Sequence, residues 1–172
     1  GSSSVKASLI NAESGRCVAS AFHPKTEMKI HAPKAGWAEQ DPEQWWSNLI
    51  LATYDVLQTA EVDPSSIGAI GVAYQMHGLV LLDAAGNVLM PAILWNDQRT
   101  EPQRARIESL LGGRRASVAA TGCPPLCGLT APKLLWVREN EPETYARVRQ
   151  VLLPKDYLRF RLTGEYATDR AG

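Results

Sequence analysis

The chain has 172 residues, and its 18 lysine and arginine residues balance its 18 aspartate and glutamate residues. This balance gives no electrostatic reason to expect a nucleic acid or a membrane surface as a partner. No apolar stretch reaches the roughly 20 residues that span a bilayer, and three cysteines without a signal peptide are typical of a reducing cytoplasm. We therefore predict a cytoplasmic domain with a sizeable core, and we treat residues 1–172 as one domain.

The N-terminal residues predict a β-hairpin, with strands at 7–10 and 16–22. The preceding segment, Gly1-Ser2-Ser3-Ser4-Val5-Lys6, carries the amides, hydroxyls and cation that an anion needs. From composition alone, this segment is either a phosphate-binding turn or an unstructured terminus, and the second interpretation is the simpler one.

A helix is predicted to begin after Asp41, which is a good N-cap residue, with Pro42 at the first helical position. Apolar residues then recur at helical spacing to about position 57. Trp45 and Trp46 belong to this pattern, so we expect them to pack in the core rather than to form a binding surface.

The densest run of ligand-capable side chains lies between residues 67 and 99. Residues 67–73 are small and apolar without a helical period, which predicts a strand covered on both faces. Tyr-Gln-Met-His-Gly follows at 74–78, where this strand would end. In open α/β sheets, ligands bind outside the carboxyl ends of strands. The sequence therefore predicts a binding site at residues 74–78.

A second hairpin is predicted directly after this segment. Residues 79–82 and 88–92 read as strands, and Gly86 suits the turn between them. The returning strand leads into Ile-Leu-Trp-Asn-Asp-Gln-Arg at 93–99. The hairpin thus brings a second polar cluster back to the first.

The C-terminal half predicts mainly helices. Residues 100–120 form a helix that is interrupted at Gly112-Gly113, and another short helix begins at Lys133 and ends near Glu141. Residues 148–153 predict a strand, and Pro154 begins a last helix.

The two polar clusters suit a small neutral ligand with several hydroxyl groups. His77 can both donate and accept hydrogen bonds, and Trp95 can form an apolar wall against a carbon skeleton. The sequence contains no nucleophile elbow, no zinc motif and no glycine-rich dinucleotide or P-loop motif. Hydrolase, metalloenzyme and dehydrogenase chemistry are therefore disfavoured, and we predict no metal site.

Five segments in order strongly resemble the FGGY family of carbohydrate kinases, and within it the members that phosphorylate D-xylulose. The segments are GWAEQDPEQWW (36–46), GVAYQMHG (71–78), PAILWNDQR (91–99), TAPKLLW (130–136) and LLPKDYLRFRLTGEYATD (152–169). The resemblance implies an α/β fold of the actin-like (ribonuclease H-like) ATPase class, with a mixed sheet and flanking helices. It also implies ATP and Mg²⁺ as cofactors and transfer of the γ-phosphoryl group to D-xylulose, giving D-xylulose 5-phosphate.

The resemblance assigns the substrate-binding residues. Met76 and His77 match the family's sugar-binding pair, and Trp95 matches the aromatic residue that lies against the polyol. Asn96 and Asp97 match the same motif with less defined roles.

The resemblance also assigns the serine segment. The family begins with a strand that ends in Asp-x-Gly-Thr-Ser, and Ser2, Ser3, Ser4 and Lys6 match positions that approach the nucleotide phosphates. The aspartate and its strand have no counterpart in the sequence, so we expect the first strand and the C-terminal domain to be missing from this chain.

No catalytic residue is assigned within the chain, because the family's general base is an aspartate expected beyond residue 172. We therefore expect the 172 residues alone to be inactive. The expected partners are a small sugar and ATP, with no nucleic acid and no membrane, and homodimer formation is left open. Two alternatives remain: a non-catalytic carbohydrate-binding or interaction module, and a kinase for ribulose, gluconate or glycerol.

Overall fold

The computed structural model describes residues 2–169, so Gly1 of the serine segment lies outside the described part. Strand β1 (Val5–Ile10) pairs antiparallel with β2 (Cys17–His23), and the turn between them contains Gly15 with a φ of 67°. Helix α1 (Pro42–Ala60) packs against both strands. The predicted hairpin and helix are confirmed, and the helix runs on to Ala60 instead of ending near position 57.

The start of α1 follows the predicted capping chemistry. The Asp41 carboxylate accepts a hydrogen bond of 2.9 Å from the N–H of Glu43. Trp45 is 2% exposed, and its indole N–H donates to Gln40 Oε1 at 3.0 Å. The core role predicted for Trp45 is confirmed. Trp46 is only partly buried.

Four short strands form two further antiparallel pairs. Strand β3 (Glu39–Gln40) pairs with β5 (Ala92–Ile93), and β4 (Val80–Leu82) pairs with β6 (Gln150–Leu152). Gly86, with a φ of 83°, lies in the turn that follows β4, as predicted. The predicted returning strand at 88–92 does not form: Val88 makes an isolated bridge to Leu82, whereas β4 and β5 each pair with a strand from elsewhere in the chain. All ladders among residues 2–169 are antiparallel, so the parallel pairing expected of a mixed sheet is not found within this range.

Alternation along β4 places its side chains in two apolar clusters on opposite faces. Val80 and Leu82 pack in a cluster that contains Trp45 from α1. Leu79 and Leu81 pack in a second cluster that contains Trp136. The central strands are therefore covered on both faces, which is the layered arrangement of an α/β fold.

Helices form in the three regions of the C-terminal half where they were predicted. The helices are α2 (Glu101–Leu110), α3 (Arg114–Thr121), α4 (Thr130–Asn140), α5 (Pro142–Arg147) and α6 (Pro154–Thr163), and α5 is an additional short helix directly after α4. A 3₁₀ turn at Pro64–Ser66 lies between α1 and β4. The break between α2 and α3 occurs at Gly112 and Gly113, which have φ values of 86° and 91°. No helix within residues 2–169 combines the length and apolar character needed to cross a membrane.

The prediction of a buried strand at residues 67–73 is wrong for the chain as described. These residues belong to no strand, and Ile70 is 70% exposed. A strand needs a neighbour for its N–H and C=O groups, and no strand within residues 2–169 pairs with this segment. Its apolar composition alone is therefore not sufficient for strand formation.

Candidate functional site

A cleft of about 650 Å³ lies at the point where the two predicted polar clusters meet α2 and the loop before α4. Its walls come from the segment before β4, the segment after β5, helix α2, the first residue of α3 and the loop that leads to α4. The lining residues are His77, Trp95, Gln98, Glu101, Arg104, Arg114, Pro125, Leu126, Cys127, Gly128 and Leu129. The cleft therefore contains His77 and Trp95, two of the five residues that the sequence assigned to the sugar.

His77 lies on one wall and has an unusual backbone conformation. Its φ is 63°, which places a non-glycine residue in the left-handed region. The next residue, Gly78, packs so closely on Pro154 that an added Cβ atom would lie 2.6 Å from Pro154 Cγ. The glycine is therefore required by this close approach, and it fixes the path of the chain directly after His77.

The His77 imidazole is half-buried. Burial lowers its pKa below the ordinary value of 6.5, and the nearby charge of Lys133 acts in the same direction. The neutral ring is therefore favoured at pH 7. A neutral imidazole offers one N–H donor and one nitrogen acceptor, which suits a sugar hydroxyl pair.

Trp95 also lines the cleft and is 49% exposed. Its backbone contacts the loop before α4, because a Cβ atom added to Gly128 would lie 2.5 Å from the Trp95 carbonyl oxygen. Thr100 Oγ1 also donates to the Cys127 carbonyl at 3.1 Å. These contacts hold the segment after β5 against this loop, and they leave the Trp95 ring accessible.

Met76 and Asn96 flank these two residues and are exposed, Met76 by 57%. Both lie next to a lining residue in the sequence, but neither of them lines the cleft.

Asp97 lies beneath the cleft and is 0% exposed. Its Oδ2 atom accepts hydrogen bonds from the Ala38 N–H at 2.7 Å and from Arg99 Nη2 at 2.7 Å. Arg99 also pairs with Glu39 at 2.7 Å, and its guanidinium lies 3.6 Å from the centre of the Trp37 ring. Arg99 donates to the Asp97 carboxylate through both Nε and Nη2, and a two-point contact of this kind fixes the orientation of both side chains. The structure therefore gives Asp97 a supporting contact to Ala38 and Arg99 instead of a position on the cleft surface.

Lys133 is a residue of the site that the sequence analysis did not identify. It is 0% exposed on α4, and its Nζ atom donates to the carbonyl oxygens of His77 at 2.6 Å and Gly128 at 2.7 Å. A signal was present, since Lys133 shares one helical face with Trp136 and Val137, which are also buried. A lysine on an apolar helical face predicts a buried amine with specific partners.

Burial of Lys133 lowers the pKa of its amine to about 7. The negative charge of Asp97 opposes this shift, and the positive charge of Arg99 adds to it. The amine thus lies among charges that belong to the segment after β5.

The serine segment lies at a different place from the cleft lining. Ser3 Oγ donates to Glu27 Oε1 at 2.8 Å, and the Ser2 carbonyl accepts from Gln40 Nε2 at 2.6 Å. Gln40 Oε1 also accepts from Gln75 Nε2 at 3.4 Å. Gln40 therefore links the serine segment to the residues just before His77. Ser4 is partly buried and Lys6 is exposed on β1.

The remaining motif residues join α6 to other parts of the fold. Tyr157 Oη donates to Glu43 Oε1 at 2.6 Å, and Lys155 pairs with Asp156 at 2.6 Å and with Asp169 at 3.2 Å. Residues 2–169 contain no group of three or more His, Cys, Asp or Glu side chains placed to hold a metal ion.

Comparisons with known proteins agree with this architecture. Xylulose kinase of Escherichia coli (strain K12) is 46% identical over 173 residues, which cover 98% of this chain and 33% of that protein. The structure of xylulose kinase from Rhodospirillum rubrum superposes with a TM-score of 0.89 at 32% identity, covering 99% of this chain and 34% of that one. Gluconate kinase from Lactobacillus acidophilus superposes with a TM-score of 0.84 at 26% identity, covering 96% and 32%.

The chain therefore spans about a third of the length of these relatives. Their likeness confirms the predicted fold class, the actin-like ATPase fold of sugar kinases. The model of the FGGY family of carbohydrate kinases, N-terminal domain, matches residues 1–171. The chain belongs to the FGGY family of carbohydrate kinases.

Proposed function

We propose that this chain is the sugar-binding domain of an ATP-dependent kinase that converts D-xylulose to D-xylulose 5-phosphate. The observation that carries the proposal is the placement of His77 and Trp95 on one cleft. A ketopentose presents hydroxyl groups along a short carbon chain, so it needs a donor and acceptor on one side and an apolar face on the other. His77 supplies the first and Trp95 the second.

Met76 and Asn96 complete the sugar contacts in this proposal. Both are exposed beside the cleft, so each can approach a bound ligand without leaving a core position. Asp97 acts indirectly, since its carboxylate is already bonded to Ala38 and Arg99 beneath the cleft.

The charge of the cleft is nearly balanced where α2 lines it, which favours a neutral sugar. Hydrogen bonds from Arg104 lower the pKa of Glu101 to about 2, so this carboxyl is ionised at neutral pH. Arg104 pairs with Glu101 at 2.6 Å and with Glu108 at 2.9 Å. A sugar carboxylate would have to compete with both of these anions.

Gluconate is the second candidate acceptor, because Arg114 adds a positive charge to the same cleft. A carboxylate-bearing sugar acid would find a cation there. The Lactobacillus acidophilus protein that shares this fold is a gluconate kinase. A comparison of the two acceptors in one assay separates the candidates.

ATP would enter with Mg²⁺ already bound, so the metal is part of the substrate. Ser2, Ser4 and Lys6 fit a role beside the phosphates, since they carry amides, hydroxyls and a cation. Ser3 fits less well, because its hydroxyl is bonded to the Glu27 carboxylate, which would repel a phosphate. In the transfer, a bond forms between the sugar oxygen and the γ-phosphorus while the bond to the ADP oxygen breaks.

The proton of the acceptor hydroxyl passes to a general base that we assign outside this chain. The isolated 172 residues are therefore predicted to be inactive.

The test is an acceptor screen with the whole kinase that contains this chain. Phosphoryl transfer from Mg-ATP is measured with D-xylulose, D-ribulose, gluconate and glycerol, in the natural protein and in His77→Ala. Preference for D-xylulose, together with its loss in the variant, supports the proposal, and a preference for gluconate supports the second candidate. Transfer to none of the four acceptors would leave the non-catalytic binding module as the better account.

A further inference from the structure

Lys133 connects the two walls of the cleft. Its Nζ atom donates to the His77 carbonyl at 2.6 Å and to the Gly128 carbonyl at 2.7 Å. His77 belongs to the segment before β4, whereas Gly128 belongs to the loop before α4. A single buried amine therefore bonds to backbone from both sides of the site.

The bond to His77 acts on a residue whose backbone needs external support. A non-glycine residue at φ 63° persists only where its surroundings hold it. Thr130 Oγ1 donates to the same carbonyl at 3.3 Å, so α4 provides two of the contacts that hold this turn. The direction of the imidazole follows from the conformation of this turn.

The bond to Gly128 acts on the loop before α4, which also lines the cleft. The Gly128 backbone lies so close to the Trp95 carbonyl that no side chain fits between them. A shift of the Gly128 loop would therefore shift Trp95 as well. Lys133 thus holds the backbone segments that carry His77 and Trp95 in a fixed relation, although its amine bonds to neither the imidazole nor the indole.

We propose that Lys133 is a positioning residue for the acceptor sugar: its amine fixes the His77 turn and the Gly128 loop so that the imidazole and the Trp95 ring face the same ligand. This inference rests on the proposed function. It predicts that loss of the amine raises KM for the acceptor sugar and leaves KM for ATP unaffected.

The experiment compares Lys133→Met with Val137→Ala in the whole kinase. Methionine keeps the apolar stem and removes the donors, and Val137 is a fully buried residue on the same face of α4, one turn further along. In Lys133→Met we expect KM for the acceptor to rise about tenfold, since two buried carbonyls lose their partner, and KM for ATP to stay within about twofold. Val137→Ala should lower Tm while both KM values stay unchanged.

A second variant keeps the inference testable if Lys133→Met does not fold. Thr130→Val removes the other donor to the His77 carbonyl with little change in size, and we expect a rise in acceptor KM of about threefold. Unchanged acceptor KM in a folded Lys133→Met, or in Thr130→Val where Lys133→Met does not fold, would overturn the inference even if the natural kinase phosphorylates D-xylulose. A natural kinase that uses none of the four acceptors would instead overturn the proposed function and this role of Lys133 with it.

Discussion

Asp97 and Arg99 form an ion pair beneath the cleft, with 2.7 Å between Arg99 Nη2 and Asp97 Oδ2. The same carboxylate oxygen accepts the N–H of Ala38, which adjoins β3. The pair therefore connects the segment after β5 to the strand beside it, and it supports the backbone that carries Trp95. Under the proposed function, Asp97 and Arg99 support the residues that contact the sugar and do not contact the sugar themselves.

Asp97→Asn should destabilise the protein without abolishing phosphorylation of the sugar. The change leaves a buried guanidinium with Glu39 as its remaining carboxylate, and breaking a buried pair in this way costs about 3 kcal/mol. Urea unfolding of the whole kinase measures the loss. Asparagine retains an oxygen that accepts the Ala38 N–H, so the backbone that carries Trp95 keeps this support and acceptor KM should change little. Asp63→Asn is the matched control, because this exposed carboxylate caps the 3₁₀ turn and asparagine is also a good cap, so the loss of stability should be small. A stable Asp97→Asn protein that has lost D-xylulose phosphorylation would place Asp97 in direct contact with the sugar.

Gly128→Ala should raise acceptor KM. The added Cβ would lie 2.5 Å from the Trp95 carbonyl oxygen, so the backbone of one wall must move. We expect an increase of about tenfold, because misplacement of a binding wall by about 1 Å weakens orientation of the substrate. Gly122→Ala is the control: its φ of 80° makes the substitution strained, yet a Cβ there meets nothing within 4 Å. In the control, thermal unfolding should show a lower Tm, and steady-state kinetics should show an unchanged acceptor KM. Equal increases of acceptor KM in both variants would contradict this account of Trp95.

Lys133 should make stability depend on pH above neutrality. Its pKa is about 7 in the folded protein and 10.5 by its ordinary value, so between these pH values the unfolded chain binds a proton that the folded chain lacks. The contribution of this group to stability therefore rises with pH across this window and is constant below it. The charged and titratable groups around the amine are Asp97, Arg99 and His77.

Lys133→Met tests this dependence. Natural protein should gain stability relative to the variant between pH 7 and pH 10, as followed by urea unfolding at each pH. Lys29→Met, which changes an exposed lysine, should keep a constant difference from the natural protein. A constant difference for Lys133→Met as well would show that the amine keeps an ordinary pKa.

Tyr157→Phe should weaken the contact between α6 and α1. The buried hydroxyl donates to Glu43 at 2.6 Å, and its removal should cost about 1 kcal/mol. Tyr54→Phe provides the control, since Tyr54 is 63% exposed on α1 and should lose almost nothing. Equal Tm values for the two variants would mean that the hydroxyl of Tyr157 contributes nothing measurable.

Local signals in the sequence predicted the helices well. Asp41 marked the start of α1, Gly112 and Gly113 marked the break between α2 and α3, and Pro154 marked the start of α6. Each of these signals acts on residues within one or two turns of itself, so it can be read without knowledge of the rest of the fold.

The site was predicted less completely, because its supporting contacts join distant parts of the chain. His77 and Lys133 are 56 positions apart, and the Asp97 carboxylate meets the Ala38 N–H across 59 positions. Pattern alone could place His77 and Trp95 near each other, but it could not show that Asp97 is enclosed. The wrong prediction for residues 67–73 has the same cause. Their apolar composition predicts a strand, but a strand forms only where a partner strand from elsewhere in the chain pairs with it.

The most direct measurement is the binding of D-xylulose to the whole kinase without nucleotide, by titration calorimetry, for the natural protein and His77→Ala. Loss of a hydrogen bond from a half-buried imidazole should weaken binding about tenfold or more, while Tyr54→Phe should bind as the natural protein does. Equal affinity in His77→Ala and the natural protein would contradict the assignment of the sugar to the cleft between His77 and Trp95.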